Sequence, residues 1–458
     1  MKDIALHFDD QVIRATIDLP DEQILVAQSQ DPPLTKEWEE IVLEALAEPI
    51  GTPRLQDHDL VGKKVVVMVD DWGRPTPASR VLPAILAEVA AAGAAREDVT
   101  IVTGSGVHQP MNEEDLIRKV GADVFRDYRC ISHDAVEHEM VFRGQTTRGT
   151  PVWVNRIVGE ADMRIAVGRV GPHPTHGYEG GAKMITPAVS HWLTVLRNHS
   201  TNFSPMAEYG SVLNNPSRLD VDEIGGMVGL EFIVNFVINR RGEPFAGFAG
   251  HRLEAHRTAI AWGDRNVWGA EIGQRADIVI AAPGDRSRQT MAASALDMAI
   301  LACKLGGTTI LINGEGPATT QKVPAAPNGQ ANGKPRTLQE EMATWSFDQI
   351  FLEHERRDNT LAPRKISDRC KTIRGEYYRR RPGHTRNVVV VGEPLSPDAE
   401  WRAYQHNVPT LQEAIDQALA RHGRDARVVI VPNASTTLPL ERFHTPDDAL
   451  VVDRLVTA

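Results

Sequence analysis

Four histidines and one lysine surround a glycine-rich turn between Gly171 and Ser200, in the run GPHPTHGYEGGAKMITPAVSHWLTVLRNHS. Imidazole and amine side chains can act as bases, nucleophiles or metal ligands, and glycines let a ligand approach the backbone closely. The run follows the apolar segment MRIAVG, which is typical of a buried strand. Because ligands of α/β proteins bind where strands end, the run predicts a functional site.

A metal site is one interpretation of this run. His173 and His176, spaced as HPTH, could share a metal ion with His191 or His199 as a third ligand. Imidazole nitrogen suits zinc, copper, iron and nickel. The HExxH pattern of zinc proteases is absent, so the spacing alone does not select one metal. A histidine that ends a helix, as His199 does here, also has a structural role beside the helix dipole.

The glycines indicate an anion site. Gly180 and Gly181 allow successive backbone N–H groups to point at an anion, and Lys183 adds a positive charge or a nucleophilic amine. The sequence excludes a P-loop, because Met184 stands where that motif requires Ser or Thr.

Two further loops carry polar side chains after predicted strands, in DDWGRPTP and GSGVHQP. Arg74 precedes a proline that stiffens its loop, and its guanidinium suits a carboxylate; the alternative is a surface arginine. His108 follows three small residues that permit close approach of a ligand; the alternative is an ordinary loop histidine. Loops after parallel strands lie at one edge of a sheet, so we expect Asp71, Arg74 and His108 beside the histidine run.

Strands and helices alternate along most of the chain. KVVVMVDD, a helix over PASRVLPAILAEVAAAGA and DVTIVTG form a βαβ unit, and the pattern restarts at DIVIAAPG after a helical segment spanning roughly His251 to Gln274. We predict an α/β fold with mainly parallel sheets flanked by helices. Two domains are expected, 1–260 with the acid/base and cofactor residues and 261–458 closing the substrate cleft, with the active site between them.

Composition narrows the class of protein. The 458 residues are 41% hydrophobic and 24% charged, as in globular proteins, and the net charge of -11 argues against general affinity for nucleic acid. No signal peptide or membrane-spanning run is visible, so we expect a soluble, cytoplasmic protein.

Cys130, Cys303 and Cys370 are far apart and predict no disulfide framework. The stretch from Val323 to Thr337 and the basic stretch from Lys371 to Arg386 are expected to be loops.

At the candidate loops the chain resembles the lactate racemase family that uses a nickel-pincer nucleotide. The matching elements are DDWGRPTP, TGSGVHQP, the PH..HGYEGGAK run continuing into ITP, RNHS, and NNPSRLDVDEIGGMVGLEFIVNFVIN. They occur in the family's order, with weaker similarity after about residue 312.

The resemblance implies a role for individual residues. His108 and His173 correspond to the two acid/base histidines, and Arg74 to the arginine that orients the substrate carboxylate. Lys183 corresponds to the lysine that contacts the cofactor or forms a thioamide with it, and His199 to the nickel ligand. Asp71, Gly180 and Gly181 are assigned to cofactor binding, whereas His176 and Glu179 receive no role.

The implied activity is racemisation or epimerisation of a 2-hydroxy acid by reversible hydride transfer to pyridinium-3,5-bisthiocarboxylic acid mononucleotide nickel, the nickel-pincer nucleotide. Cofactor-synthesis enzymes are then implied partners. RSRQTMAASALD stands where lactate racemases carry a Tyr-Gln pair and a following lysine, so we expect a substrate larger than lactate, such as a sugar acid, with Arg288 and Gln289 binding it.

Two alternatives to this function are open from the residues. One is a zinc hydrolase that uses His173, His176 and His199 around an activated water. The other is a nucleotide-binding or cofactor-binding protein without catalysis.

Overall fold

The computed structural model describes residues 1–204, 206–239, 241–284, 289–314, 387–393 and 405–457. Within these ranges the chain forms two compact units that are interleaved in sequence. The first unit contains residues 32–263 and 444–457. The second unit contains the described parts of residues 1–31 and 264–443. The change from the first unit to the second falls between Gly263 and Asp264.

A six-stranded sheet forms the middle layer of the first unit, in the order β13-β12-β9-β4-β5-β6. Its neighbours are parallel except β12 and β13, which are antiparallel. The strands of the sheet are β4 (Val65–Asp70), β5 (Val99–Gly104), β6 (Arg129–Ser132), β9 (Met163–Val170), β12 (Phe232–Ile238) and β13 (Pro244–Gly250). Two hairpins accompany it: β7 (Met140–Gln145) with β8 (Pro151–Asn155), and β10 (Pro172–His173) with β11 (Gly177–Tyr178).

Helices cover both faces of this sheet. The helices of the first unit are α1 (Trp38–Ala47), α2 (Ala78–Ala91), α3 (Glu113–Val120), α4 (Ala122–Asp127), α5 (Arg156–Gly159), α6 (Trp192–Ser200), α7 (Pro216–Val228), α8 (Glu254–Asn266), whose last residues enter the second unit, and α11 (Asp448–Thr457).

The alternation of side chains along the strands explains this three-layer arrangement. In β4, Val65, Val67 and Val69 pack with α1 and α2, whereas Val66 and Met68 pack on the other face with α7 and the histidine run. Burial on both faces requires continuous apolar runs, and the sequence of β4 provides one. Each fully buried valine or methionine contributes about 1.5–3 kcal/mol of hydrophobic free energy.

The second unit is built on a fully parallel sheet in the order β18-β17-β16-β15-β19-β3. Its strands are β3 (Ile24–Val26), β15 (Ala276–Ala281), β16 (Cys303–Asn313), β17 (Asn387–Gly392), β18 (Gln405–Val408) and β19 (Val428–Val431). The N-terminal hairpin of β1 (Lys2–Phe8) and β2 (Gln11–Ile17) packs with α10 (Leu411–His422) on one face. On the other face packs α9 (Gln289–Leu301). The short strands β14 (Gly269–Glu271) and β20 (Leu438–Leu440) form a separate parallel pair in the second unit.

The predicted fold class is confirmed, since both large sheets are mainly parallel and carry helices. The helix predicted over 251–274 is shorter and ends at Asn266, because a strand begins at Gly269. Over the part of the chain that the structure describes, every helix is too short or too polar to span a bilayer. Within the described residues neither Cys130 nor Cys303 forms a disulfide, whereas Cys370 and the loops predicted at 323–337 and 371–386 lie outside these residues.

Candidate active site

The loops that carry the candidate residues meet at one sheet edge, as predicted. Strands β9, β4 and β5 are adjacent and parallel, so the segments following Val170, Asp70 and Gly104 leave the sheet side by side. The six-residue strand β4 in the middle places its loop between the other two. Parallel strand ends thus bring together residues that are about 100 positions apart in sequence.

Two glycines let the β5 loop lie directly against the histidine run. A Cβ on Gly104 would stand 2.6 Å from the Ala188 side chain, and one on Gly106 would be 3.2 Å from the Pro187 carbonyl. Gly106 has φ +56° and donates its N–H to Ala188. This close approach fixes the backbone from which His108 projects.

His108 is held by a carboxylate. Its Nδ1 lies 3.0 Å from Oδ2 of Asp71, whose other oxygen accepts the N–H of Gly73. Asp71 is buried while the His108 side chain is 63% exposed. Since an ionised carboxylate only accepts, Nδ1 of His108 donates, and Nε2 of the neutral ring is then the basic nitrogen.

His173 is held by hydrogen-bond donors instead. Its Nδ1 accepts the backbone N–H groups of Thr175 and His176, each at 3.2 Å. Backbone N–H groups only donate, so the neutral ring carries its proton on Nε2. Desolvation and the charge of Lys183 hold the pKa of His173 well below 6.5.

His176 connects the β10–β11 turn to α6. Its Nε2 donates to Asn198 at 2.9 Å, and its Nδ1 accepts from the Thr175 hydroxyl at 2.9 Å. Asn198 in turn donates to the buried carboxylate of Asp220 at 2.8 Å. Both nitrogens of His176 are therefore engaged, so this ring is not available as a metal ligand. It stands beside His173, with ring centroids 5.1 Å apart, and beside His199, at 5.5 Å.

Gly180 and Gly181 allow the backbone conformation of the turn and its close packing against neighbouring residues. Both have positive φ, +84° and +60°. A Cβ on Gly180 would stand 2.7 Å from Val170, and one on Gly181 would stand 3.0 Å from the His256 ring. The Gly181 N–H donates to Asn235, so this group does not point at a ligand. The expectation that successive N–H groups here bind an anion is therefore not met at Gly181.

Buried charged side chains hold the turn at Gly180 and Gly181 through hydrogen bonds to its carbonyl groups. Arg218 donates to the carbonyls of Tyr178 and Gly180, and His256 donates to that of Glu179. Asp222 pairs with Arg218 at 3.0 Å. It also pairs with Arg257, and the side chains of all three are at most 1% exposed. The lost hydration of these charges is offset only while every partner is present.

Lys183 lies in a short 3-10 helix, Gly181–Met184, directly after the turn. Burial lowers its pKa well below 10.5, and Arg218 and Arg74 lower it further against the opposing charge of Glu179. A lysine with a lowered pKa can act as a nucleophile once it is deprotonated.

His199 lies in the last turn of α6, as predicted. Its Nδ1 is buried and has no hydrogen-bond partner in the described structure. Burial and the charge of Lys183 lower its pKa to about 4, against a backbone contact with Val195 that favours the protonated ring. The ring therefore stays neutral at pH 7, as a metal ligand must be. His191 instead caps α6, because its Nδ1 accepts the Leu193 N–H.

Among the described residues, no group of three or more His, Cys, Asp or Glu side chains is arranged to hold a metal ion. The hydrogen bonds explain why the three-histidine zinc site is not favoured: His176 has both nitrogens engaged, and Nδ1 of His173 accepts two N–H groups. One histidine, His199, is left with a buried unpartnered nitrogen.

The Arg74 loop is fixed by a residue that the sequence interpretation missed. Lys119 donates to Asp70 at 2.6 Å and to the carbonyls of Arg74 at 3.2 Å and Thr76 at 2.8 Å. Its side chain is 7% exposed. Desolvation raises the pKa of Asp70, and the charge of Lys119 opposes that rise.

Glu179, also without a predicted role, contacts the guanidinium of Arg74. Nη2 of Arg74 lies 3.3 Å from Oε1 of Glu179, and Nε of Arg169 donates to the other carboxylate oxygen. Burial alone would raise the pKa of Glu179, but the charges of Arg169 and Arg74 hold it below its usual value. Nothing in the GYEGG motif reveals these partners, because they come from two other strand ends.

The predicted substrate-specificity segment is described only in part. Arg288 lies outside the described residues; Gln289 begins α9, and its side chain is not among those described. Ala292 and Ala295 are fully buried in the core between α9 and its sheet. These two alanines stand in the segment that replaces the Tyr-Gln pair and lysine, and their small size serves packing in the core.

Comparison with known proteins agrees with the predicted resemblance. Residues 10–210 match the lactate racemase N-terminal domain. Lactate racemase of Lactiplantibacillus plantarum is 26% identical over 94% of this chain and 98% of its own length. Lactate racemase of Thermoanaerobacterium thermosaccharolyticum is 32% identical over 53% of this chain and 58% of its own length.

Solved structures share the fold. The lactate racemase apoprotein from Thermoanaerobacterium thermosaccharolyticum has a TM-score of 0.67 at 24% identity, over 96% of this chain and all of that one. A structural-genomics protein from Thermotoga maritima has a TM-score of 0.53 at 17% identity, over 90% of this chain and 99% of that one.

Proposed function

We propose that this chain, which is similar to lactate racemases along most of its length, is a racemase or epimerase of a 2-hydroxy acid. The observation that carries the proposal is the pair His108 and His173 at one sheet edge, whose rings are held in opposite tautomers. Inversion of a carbinol centre needs proton handling at the hydroxyl oxygen from two directions, and two histidines provide it.

Arg74 binds the substrate carboxylate. Its backbone is fixed by Lys119, and its guanidinium is 42% exposed beside the buried Glu179. Because Arg74 is fixed at its backbone and at its guanidinium, it can bind a carboxylate in one orientation. The substrate is then anchored at its carboxylate, while the carbon next to it is free to present either face.

His108 acts as the base in the state that the structure shows. Nε2 accepts the hydroxyl proton, and Asp71 stabilises the imidazolium that forms. When the substrate oxygen lies on the other side, Nε2 of His173 gives its proton to that oxygen, and Nδ1 takes up the proton that His108 has released to solvent, so the ring stays neutral. For His173 to accept a proton there, its own proton must move to Nδ1, at the expense of the two backbone contacts.

The residues of the first unit fit a nickel-pincer nucleotide. His199 offers a neutral, buried and unpartnered Nδ1 as the nickel ligand, and Lys183 offers an amine of lowered pKa to anchor the cofactor. When bound, this cofactor supplies a reversible acceptor for the Cα hydride. Asp71, Gly180 and Gly181 contribute by shaping the loops around it, Gly180 and Gly181 through their positive φ.

The preferred acid is proposed to differ from lactate. The support is the sequence RSRQTMAASALD in place of the Tyr-Gln pair and lysine, with Arg288 and Gln289 as the residues that would bind additional polar groups.

Chiral analysis in heavy water tests the function. Protein coexpressed with the cofactor-synthesis enzymes is incubated with 2-hydroxy acids from lactate to sugar acids, and the stereoisomers are separated by chromatography. We expect inversion of at least one acid with its Cα hydrogen retained. Inversion of none would overturn the proposal, and deuterium at Cα would indicate carbanion chemistry instead.

Two controls separate the other functions. Nickel with a sulfur-bearing chromophore agrees with the proposal, whereas stoichiometric zinc agrees with a hydrolase. His108→Ala and His173→Ala should lose turnover while retaining the cofactor; unchanged behaviour of both variants would fit a binding protein without catalysis. Intact-protein mass spectrometry shows whether Lys183 is covalently linked to the cofactor.

A further inference from the structure

Glu179 is an unusual neighbour for an arginine that binds a substrate carboxylate. The side chain of Glu179 is 9% exposed, and its Oε1 lies 3.3 Å from Nη2 of Arg74. A buried carboxylate at this distance attracts Arg74 and repels any second carboxylate. Alone, it would neutralise the charge on which substrate binding depends.

Arg169 removes this conflict. It extends from the penultimate position of β9, and its Nε donates to the second carboxylate oxygen of Glu179. Among these three side chains, two guanidinium groups and one carboxylate leave one positive charge. Lys183 is a further cation near Glu179 and is not part of this count. Each oxygen of Glu179 thus holds one arginine, and neither arginine is fully neutralised.

The three side chains of the cluster, Glu179, Arg169 and Arg74, differ in their exposure to solvent. Glu179 is buried, Arg169 is 29% exposed and Arg74 is 42% exposed. The Arg74 side chain is 42% exposed, so N–H donors of its guanidinium remain accessible to a substrate. Because Lys119 fixes the carbonyl of Arg74, the side chain is fixed at its base and at its tip.

We propose that Glu179 and Arg169 form a charge-balanced pair that positions Arg74 and sets a single positive charge for the substrate carboxylate. Both are positioning residues, because they act through Arg74. This inference rests on the proposed function, since it takes Arg74 to bind the acid. It also deepens that function, because one net positive charge matches one carboxylate.

Charge-changing variants of the holoenzyme test the pair through opposite effects on KM. The probe is the acid that the wild-type enzyme inverts fastest. In Arg169→Met, Glu179 pairs with Arg74 alone, so KM should rise about tenfold. In Glu179→Gln, the positive charge increases, so KM should stay equal or fall while kcat falls severalfold because Arg74 is held less firmly. In the double variant, KM should return to within about threefold of wild type.

Two controls exclude general damage to the site. Arg169→Lys keeps the charge and should keep KM within about threefold of wild type. The primary amide of the same acid lacks the charge, so its inhibition constant should change by less than about twofold in every variant. Cofactor absorbance and thermal unfolding confirm that the variants are loaded and folded.

The outcomes separate this inference from the proposed function. If the wild-type enzyme inverts acids but Arg169→Met and Glu179→Gln both raise KM, with the double variant worse than either, the pair is merely structural and the inference is wrong. If the amide responds as strongly as the acid, charge is not what the pair controls. If wild type inverts no acid, the proposed function fails, and this inference fails with it.

Discussion

His108 and His173 lie at the same sheet edge and are held in opposite ways. The Nδ1 atom of His108 meets the carboxylate of Asp71, whereas the Nδ1 atom of His173 meets two backbone N–H groups. The first contact leaves a basic Nε2 and stabilises a protonated ring. The second places the proton on Nε2 and opposes a second proton on the ring. Before substrate binds, the same side chain thus presents a base at one position and a hydrogen-bond donor at the other.

Other histidines of the first unit repeat the arrangement of His173. Nδ1 of His176 accepts from Thr175, and that of His256 accepts from Arg257, while Nε2 of each ring faces a carbonyl oxygen. Burial lowers the pKa of both. The contrast teaches that nearness to the site does not make a histidine a base; the group on its Nδ1 decides.

Glutamine at each position should separate the two roles by the largest effect. Gln offers an amide N–H near the place of Nε2 but no base. We expect His108→Gln to lower kcat/KM about 10³- to 10⁴-fold, because glutamine cannot replace the base. We expect His173→Gln to lower it about 10²-fold, because the amide N–H of glutamine replaces the Nε2–H donor of His173. Initial rates from each stereoisomer provide the measurement. Equal losses in the two variants would mean that both rings act as bases.

Asp71→Asn should give His108 the tautomer of His173. The amide oxygen can still accept from Gly73, and the amide NH₂ then donates to Nδ1 of His108, which moves the ring proton to Nε2. We expect kcat/KM to fall about 10²- to 10³-fold with little change in thermal stability. For a pair of enantiomers, the equilibrium constant is one, so the loss in kcat/KM must be the same in both directions. A loss below about threefold would show that Asp71 does not set the tautomer.

His133 extends the comparison to stability. It is fully buried, its Nδ1 accepts from Asn155, and its Nε2 donates to the Ser190 carbonyl at 3.0 Å. Desolvation lowers the pKa of His133 to about 4. The unfolded state, with a pKa near 6.5, binds the proton first as pH falls, so stability is present above about pH 6.5 and is lost toward pH 4.

This histidine should cost the folded protein roughly 3 kcal/mol by pH 4. Urea unfolding at pH 7, 5.5 and 4 measures the loss, with His133→Gln as the matched variant whose stability at this site does not depend on pH. We expect the two proteins to differ most at pH 7 and to converge at pH 4. A constant difference over this range would contradict the assigned pKa.

The sequence patterns predict the sheets and the convergence of three loops because these features depend on local runs. Val65–Asp70, Val99–Gly104 and Met163–Val170 are apolar and β-branched, and parallel pairing then places their ends together. By contrast, β3 pairs in the sheet of the second unit with β19, which is about 400 residues away in sequence. A run of three residues is too short to indicate its pairing partner.

The supporting residues of the site were harder to predict for the same reason. Asp70 with Lys119 and Glu179 with Arg169 and Arg74 are pairs made by tertiary structure. One signal was available: in NNPSRLDVD, Asn215 caps α7 with Pro216 at its first turn, and Arg218 and Asp222 are four residues apart on one helix face. That spacing predicts an ion pair, but only the fold reveals that it supports the Gly180 turn.

Nitrogen-15 NMR of the histidine rings determines the tautomers of His108 and His173. In protein labelled at the ring nitrogens, long-range correlations identify which nitrogen carries the proton, and His108→Gln and His173→Gln assign the two signals. The contacts of the two rings predict a proton on Nδ1 in His108 and on Nε2 in His173 at neutral pH. The same tautomer in both rings would contradict this prediction.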